Sequence, residues 1–80
     1  MLAELTTGNK VTGAKQVTRA LKNGAARRVF LAQDADDRVT EPVLHLCQEL
    51  GVETETVPTM AELGRACGIA VGSAVAALCQ

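Results

Sequence analysis

A run of basic residues in the first third of the chain has the residue types needed to bind an anion. Six of the eight Lys and Arg residues lie between Gly8 and Arg28, a span without Asp or Glu: Lys10, Lys15, Arg19, Lys22, Arg27 and Arg28. Residues 29–80 hold eight acidic residues against two basic ones, a local net charge of −6 that the overall charge of −1 conceals. This asymmetry indicates an element that faces an anionic partner.

The spacing of these basic residues predicts that three of them share one helix face. Lys15, Arg19 and Lys22 follow an i, i+4, i+7 pattern, and each like-charged i,i+4 pair costs about 0.2–0.5 kcal/mol in an isolated helix. Gly13, just before the helix, allows an anionic partner to come close to the backbone. The Gln16 amide can both donate and accept hydrogen bonds, as recognition of a base edge requires. The pattern fits an anion-binding helix, and a solvated basic helix face equally well.

A cluster of acids offers a different chemistry. Asp34, Asp36 and Asp37 follow an apolar run, a placement that resembles the magnesium-binding acids of small α/β phosphotransfer domains. Lys15 would then serve a phosphate, so the alternative is a small magnesium-dependent phosphate-binding or phosphotransfer domain. Such a site needs a phosphoacceptor or general base and a deep pocket, and 80 residues offer neither clearly. The single histidine, His45, has no metal or nucleophile partner at useful spacing.

Composition limits the remaining classes. Eighty residues predict one domain over 1–80, and a single aromatic, Phe30, excludes an aromatic stacking platform for single-stranded nucleic acid. Three distant cysteines indicate neither a disulfide framework nor a zinc site, so we expect buried free thiols: Cys47, Cys67 and Cys79. The sequence lacks a secretion signal and a run of about 20 apolar residues, which predicts a soluble, cytoplasmic protein.

Hydrophobic spacing predicts alternating helices and strands. Strands are expected at Lys10–Thr12, 28–33, 52–57 and Ser73–Leu78. Helices are expected from Ala14 to Gly24, from near Asp37–Glu41 to Gly51, and from a Thr59 cap to Cys67. One or two helical turns are possible at Leu2–Thr7, before the first strand. Pro42 is expected in a first turn, with Asp37 or Thr40 as the cap. The last segment is ambiguous, because its alanines favour helix. The order predicts an α/β protein, a three-layer α/β/α sandwich around a small mixed four-stranded sheet.

Three segments together carry a family resemblance that spans Gly8 to Leu78. GAKQVTR at 13–19, LAQDAD at 31–36 and LGRACGI at 63–69 resemble, in order and spacing, the kink-turn RNA-binding ribosomal protein superfamily of the archaeal L-seven-Ae type. The similarity is greatest to the small bacterial YbxF-type members. The resemblance implies a non-enzymatic, ribosome-associated RNA-binding monomer without cofactor or metal, which recognises kink-turns with tandem sheared G·A pairs and stabilises the kinked conformation.

The resemblance also implies a site in two parts. The first comprises Gly13, Ala14, Lys15, Gln16 and Arg19, with Lys15 and Gln16 standing where Asn and Glu are usual. In the second, a loop of apolar residues packs on an extruded nucleotide: Ile69, Ala70, Val71 and Ala74. Without the resemblance these residues would be assigned to the core of an edge strand. Asp36 matches an acid that contacts the extruded nucleotide in some members, and helix capping is an equally good interpretation.

Overall fold

The computed structural model describes residues 9–79, where a four-stranded mixed sheet separates two layers of helices. The elements in chain order are β1 Lys10–Thr12, α1 Ala14–Lys22, β2 Ala26–Ala32, α2 Asp37–Leu50, β3 Glu53–Val57, α3 Met60–Ala66 and β4 Val75–Cys79. The strand order is β1-β4-β2-β3, with β2 and β3 parallel and β4 antiparallel to both of its neighbours. This confirms the three-layer α/β/α sandwich. The helical turns expected at Leu2–Thr7 lie outside the described residues.

Each face of the sheet has its own apolar core. Helices α1 and α2 cover one face, where the buried side chains include Val17, Leu21, Val29, Val43, Cys47 and Val75. Helix α3 covers the other face with Leu63, which packs against Phe30 and Leu78. A helix of seven residues is unstable alone in water, so burial of Leu63 against the sheet holds α3 in place.

Helix α2 begins within the expected range and confirms the helix-capping interpretation of Asp36, whereas the caps expected at Asp37 or Thr40 are wrong. The cap is Asp36, whose carboxylate accepts a hydrogen bond from the Arg38 amide at 2.9 Å, rather than Asp37 or Thr40. Pro42 is the sixth helical residue and lies in the second turn, so its expected place in the first turn is also wrong. Proline removes one helical N–H donor, and the exposure of Pro42 makes this loss less costly than it would be in the core.

The capping of α3 and the end of α2 follow the sequence. The Thr59 hydroxyl accepts a hydrogen bond from the Glu62 amide at 3.1 Å, which confirms the predicted amino-terminal cap. Gly51 adopts a left-handed φ of 70° and its N–H donates to the Cys47 carbonyl, which ends α2 as expected. Although the i+3 and i+4 spacing from Val43 and Cys47 predicts Leu50 on the buried face of α2, its side chain is 49% exposed at the last residue of the helix.

The last strand starts two residues later than expected. Strand β4 begins at Val75, not Ser73, because the backbone N–H of Ser73 donates to the Met60 carbonyl at 3.1 Å instead of joining the sheet. The preference for strand over helix in this segment is confirmed. Across residues 9–79, none of the helices has the length and apolar character needed to cross a membrane.

Candidate nucleic-acid interface

Helix α1 presents its basic residues outward because its apolar residues are fixed in the core. Val17, Ala20 and Leu21 are buried, and Lys15, Gln16, Arg19 and Lys22 are exposed. The i, i+4, i+7 spacing therefore places three cations on the solvent side of one helix, as predicted. Ala14 is half-buried and packs against the same core as Val17.

Gly13 gives α1 an open amino terminus. Its φ of 88° is a conformation that glycine adopts far more readily than other residues, and no side chain caps this helix end. No heavy atom lies within 4 Å of the position a β-carbon would take, so the backbone faces open space. Uncapped first-turn N–H groups and the helix dipole favour an anion here, and α1 has no acid in its first turn to compete.

The α3–β4 loop, residues 67–74, exposes apolar side chains. Val71 is 71% exposed and Ile69 is 36% exposed, and Ala70 is exposed beside them. These residues precede β4, so the interpretation that they are core residues of an edge strand is wrong. Ala74 differs from them, because it is half-buried and packs against both cores.

Two glycines hold this loop against α3. A β-carbon on Gly64 would collide with the carbonyl oxygen of Val71, and one on Gly72 would lie 3.1 Å from the β-carbon of Met60. The Ile69 N–H also donates to the Gly64 carbonyl at 3.1 Å. Backbone therefore packs directly on backbone, which fixes the path of the loop along the helix.

One carbonyl oxygen joins the loop to the basic helix. The oxygen of Val75 accepts hydrogen bonds from the Gly13 N–H at 3.1 Å and from the Ser73 hydroxyl at 2.7 Å. Next to it, the Ala74 carbonyl accepts from the Ala32 N–H at 2.9 Å, at the end of β2. The start of α1 and the end of the α3–β4 loop therefore meet at one end of the two central strands, β4 and β2.

Two of the three acids in the cluster, Asp34 and Asp36, are bound to protein donors. Asp34 Oδ1 accepts a hydrogen bond from the Met60 N–H at 2.7 Å and so binds the first amide of α3. Asp36 caps α2 and forms an ion pair with Arg38 at 2.9 Å, and the hydrogen bonds from Arg38 lower the pKa of the Asp36 carboxyl. Among residues 9–79, no three His, Cys, Asp or Glu side chains are grouped to hold a metal ion. The magnesium alternative therefore lacks a ligand set in this part of the chain.

The cysteines are free thiols, as expected, but they differ in burial. Cys47 and Cys67 are buried, and Cys79 is only half-buried. Burial raises the pKa of both the Cys47 and Cys67 thiols, and the charge of Lys10 partly opposes the rise at Cys67. Neither buried thiol has the lowered pKa that a reactive cysteine requires.

Sequence reasoning missed three residues that organise this interface. Gly64, Ser73 and Asp34 act through contacts with residues distant in the sequence or through the backbone. A signal existed for Gly64, because a glycine inside a short helix is unfavourable and often marks a close backbone contact. Ser73 and Asp34 carried no comparable signal.

The sequence has extensive similarity to known proteins. Residues 2–80 match the Ribosomal protein L7Ae/L30e/S12e/Gadd45 family. An RNA-binding protein of Caldanaerobacter subterraneus subsp. tengcongensis is 41% identical over 76 residues, which is 95% of this chain and 93% of that protein. The RNA-binding protein YbxF of Geobacillus stearothermophilus is 43% identical over 74 residues, 92% of this chain and 90% of that protein.

Further similar proteins include a ribosomal protein and a protein of solved structure. Large ribosomal subunit protein eL8 of Halobacterium salinarum is 41% identical over 75 residues, 90% of this chain and 61% of that protein. The Giardia lamblia 15.5kD RNA binding protein superposes with a TM-score of 0.92 at 26% identity, over 99% of this chain and 70% of that one. With a family match that spans nearly its whole length and relatives above 40% identity, the chain belongs to the Ribosomal protein L7Ae/L30e/S12e/Gadd45 family.

Proposed function

We propose that this protein binds structured RNA and recognises kink-turns, duplexes bent at tandem sheared G·A pairs. The observation that carries the proposal is the shared Val75 carbonyl, which holds Gly13 of the basic helix next to the end of the apolar loop. Relatives above 40% identity named as RNA-binding proteins support it. The interface would act by binding alone, without a cofactor.

The amino terminus of α1 supplies the polar half of the site. Lys15 can donate to guanine O6 and N7, and Gln16 can both donate to and accept from a base edge. Arg19 suits a phosphate or a second guanine, and Lys10 and Lys22 add phosphate attraction. Gly13 permits the RNA backbone to come close, because nothing occupies the space beside its Cα.

The α3–β4 loop supplies the apolar half. Ile69 and Val71 expose aliphatic surface that an extruded base can cover, with Ala70 between them and Ala74 supporting the loop from below. Burial of apolar surface contributes about 25 cal/mol per Å², so covering the face of one nucleobase adds favourable free energy to the conformer in which that base is extruded. Asp36 completes the set of candidate contacts. Like any aspartate with an ordinary or lowered pKa, it is ionised at neutral pH and can act only as an acceptor.

Binding would act by population shift. The RNA supplies the two states, bent and extended, and the protein favours the bent state only to the extent that it binds that state more tightly. We include association with the ribosome in the proposal, on the basis of the similarity to large ribosomal subunit protein eL8. The protein would bind as a monomer, because one chain carries both halves of the site.

Two labelled RNAs test this function. The protein is titrated into a short kink-turn duplex and into a matched duplex without the sheared G·A pairs, with a gel shift for affinity and fluorescence transfer between the arms for bending. We expect tighter binding of the kink-turn and a rise in transfer that follows the binding curve. Equal affinities, or binding without a change in transfer, would overturn the proposal.

A further inference from the structure

We propose that Ser73 is a positioning residue that fixes the apolar loop relative to the basic helix and thereby sets selectivity for RNA with an extruded nucleotide. This inference rests on the proposed function and deepens it. Ser73 touches no part of the RNA in this proposal, because it is 6% exposed and its hydroxyl is used within the protein. Its effect would pass through the loop.

Ser73 is anchored on two sides of the site. Its N–H donates to the Met60 carbonyl of α3 at 3.1 Å, and its hydroxyl donates to the Val75 carbonyl at 2.7 Å. Among residues 9–79 it is the single buried residue with a polar side chain. A polar group in an otherwise apolar core is costly unless it is hydrogen-bonded, so this bond holds the hydroxyl in one orientation.

The hydroxyl bond adds a second constraint on the exposed apolar residues, at the end of the loop that joins β4. It closes a short turn from Ser73 to Val75, and the same Val75 oxygen accepts the Gly13 N–H at 3.1 Å. Val71 is two residues before Ser73. The turn therefore constrains the position of the Val71 side chain relative to the start of α1. Without the hydroxyl, the hydrogen bonds from Gly13 to Val75 and from the Ser73 N–H to Met60 can both remain. Residues 73–75, which lie between these two bonds, become more mobile.

Selectivity for RNA with an extruded nucleotide should therefore depend strongly on Ser73, whereas affinity for RNA duplexes in general should depend on it only weakly. The attraction between the α1 cations and RNA phosphates does not depend on the loop. Contact with an extruded base does depend on it, because the loop must lie at the correct distance from the start of α1. One intramolecular hydrogen bond contributes about 0.5–1.5 kcal/mol, which corresponds to about a two- to tenfold change in an equilibrium constant. We expect a loss of preference within that range.

The test compares three RNAs and four proteins. The RNAs are a kink-turn duplex, the same duplex without its extruded nucleotide, and a plain duplex. The proteins are the wild type, Ser73→Ala, Ser73→Cys, and Cys47→Ala as a control. Cys47 is fully buried on α2, in the core that also contains Val75, and its side chain forms none of the hydrogen bonds that hold Ser73, so its truncation destabilises the fold and leaves those bonds in place.

The expected result is a selective loss. Ser73→Ala lowers the preference for the extruded nucleotide about two- to tenfold and leaves plain-duplex affinity unchanged. Ser73→Cys has a side chain of similar size and a weaker hydrogen-bond donor, so it should lose less of this preference. It also provides the test if Ser73→Ala fails to fold. Cys47→Ala keeps the wild-type preference.

Three outcomes overturn the account in distinguishable ways. A wild type without preference for the kink-turn refutes the proposed function itself. A wild type with preference, together with an unchanged preference in folded Ser73→Ala or Ser73→Cys, refutes only the positioning role of Ser73. An equal loss of preference in Cys47→Ala assigns the effect to general destabilisation and refutes the positioning role as well.

Discussion

Gly64, in the middle of α3, lies against the backbone carbonyl oxygen of Val71 so closely that no β-carbon fits between them. The most exposed apolar residue of the α3–β4 loop is therefore supported by the backbone of the helix beneath it. Gly72 makes a second close approach, to Met60. These two contacts hold the exposed apolar loop against α3. The loop is therefore already in place to contact a base before RNA binds.

Replacing Gly64 by Ala should destabilise the fold and weaken binding of kink-turn RNA. Helix propensity alone favours Ala over Gly by about 1 kcal/mol, whereas the collision with Val71 costs typically about 1–3 kcal/mol. We expect the collision to prevail and the loop to move. Urea unfolding measures the stability change, and titration with kink-turn RNA measures the affinity.

The matched control for Gly64→Ala is Ala61→Gly, at an exposed position of the same helix. It should lose up to about 1 kcal/mol of stability through propensity alone and keep the wild-type RNA preference. A Gly64→Ala variant that is more stable than the wild type, or that binds kink-turn RNA equally well, would show that the loop does not depend on this contact.

Asp34 should act through the acceptor oxygen it offers to α3, not through its charge. Its Oδ1 accepts from the Met60 N–H at 2.7 Å. Asp34→Asn keeps an acceptor oxygen and should retain stability and RNA binding, whereas Asp34→Ala should lose about 0.5–1.5 kcal/mol because the hydrogen bond to the Met60 N–H is lost. Urea unfolding of both variants checks this difference. Magnesium binding that is present in the wild type and abolished in Asp34→Asn would restore the phosphotransfer alternative.

The stability of the protein should contain an acid-sensitive contribution from Asp36. Hydrogen bonds from Arg38 lower the pKa of this carboxyl in the folded state, so its contribution is fully present above the unfolded pKa of about 4 and is lost as the pH falls through the folded value. Asp36→Asn keeps a helix cap but not the ion pair. The difference in unfolding free energy between the two proteins should therefore shrink as the pH is lowered below about 4. A difference that is constant or grows on acidification would contradict this assignment.

The three thiols should react with alkylating agents in a fixed order. Cys79 is half-buried, whereas Cys47 and Cys67 are buried and burial raises the pKa of both thiols, so little thiolate is exposed in the native state. At pH 7–8, mass spectrometry should find Cys79 modified first and the other two modified only on unfolding in denaturant. Rapid native-state modification of Cys67 would contradict the packing of α3 on the sheet.

Local patterns in the sequence were enough to predict most of the elements. The spacing of Val17 and Leu21 predicted α1 and its exposed cations, and Thr59 with Glu62 predicted the start of α3. Such signals are visible because the interacting groups lie within one helical turn of each other. The layer architecture followed from the alternation of these elements.

Contacts between distant segments could not be predicted in the same way. The strand order depends on pairings such as that of Thr12 with Ala76, and the loop depends on Gly64 meeting the Val71 backbone. Ser73 was assigned to a strand because residue type alone does not reveal that its hydroxyl bonds a carbonyl two residues later. The contacts of the α1 and α3–β4 residues with RNA stay predictions until they are measured.

An NMR titration of the isotope-labelled protein with kink-turn RNA tests most directly whether α1 and the α3–β4 loop form one RNA surface. We predict that the amides of Gly13, Lys15 and Gln16 shift together with those of Ile69 and Val71, in a single transition that saturates at one RNA per protein. Amides in the second half of α2, such as that of Glu49, should not shift. Shifts confined to α1, or centred on α2 and β3, would contradict the two-part site.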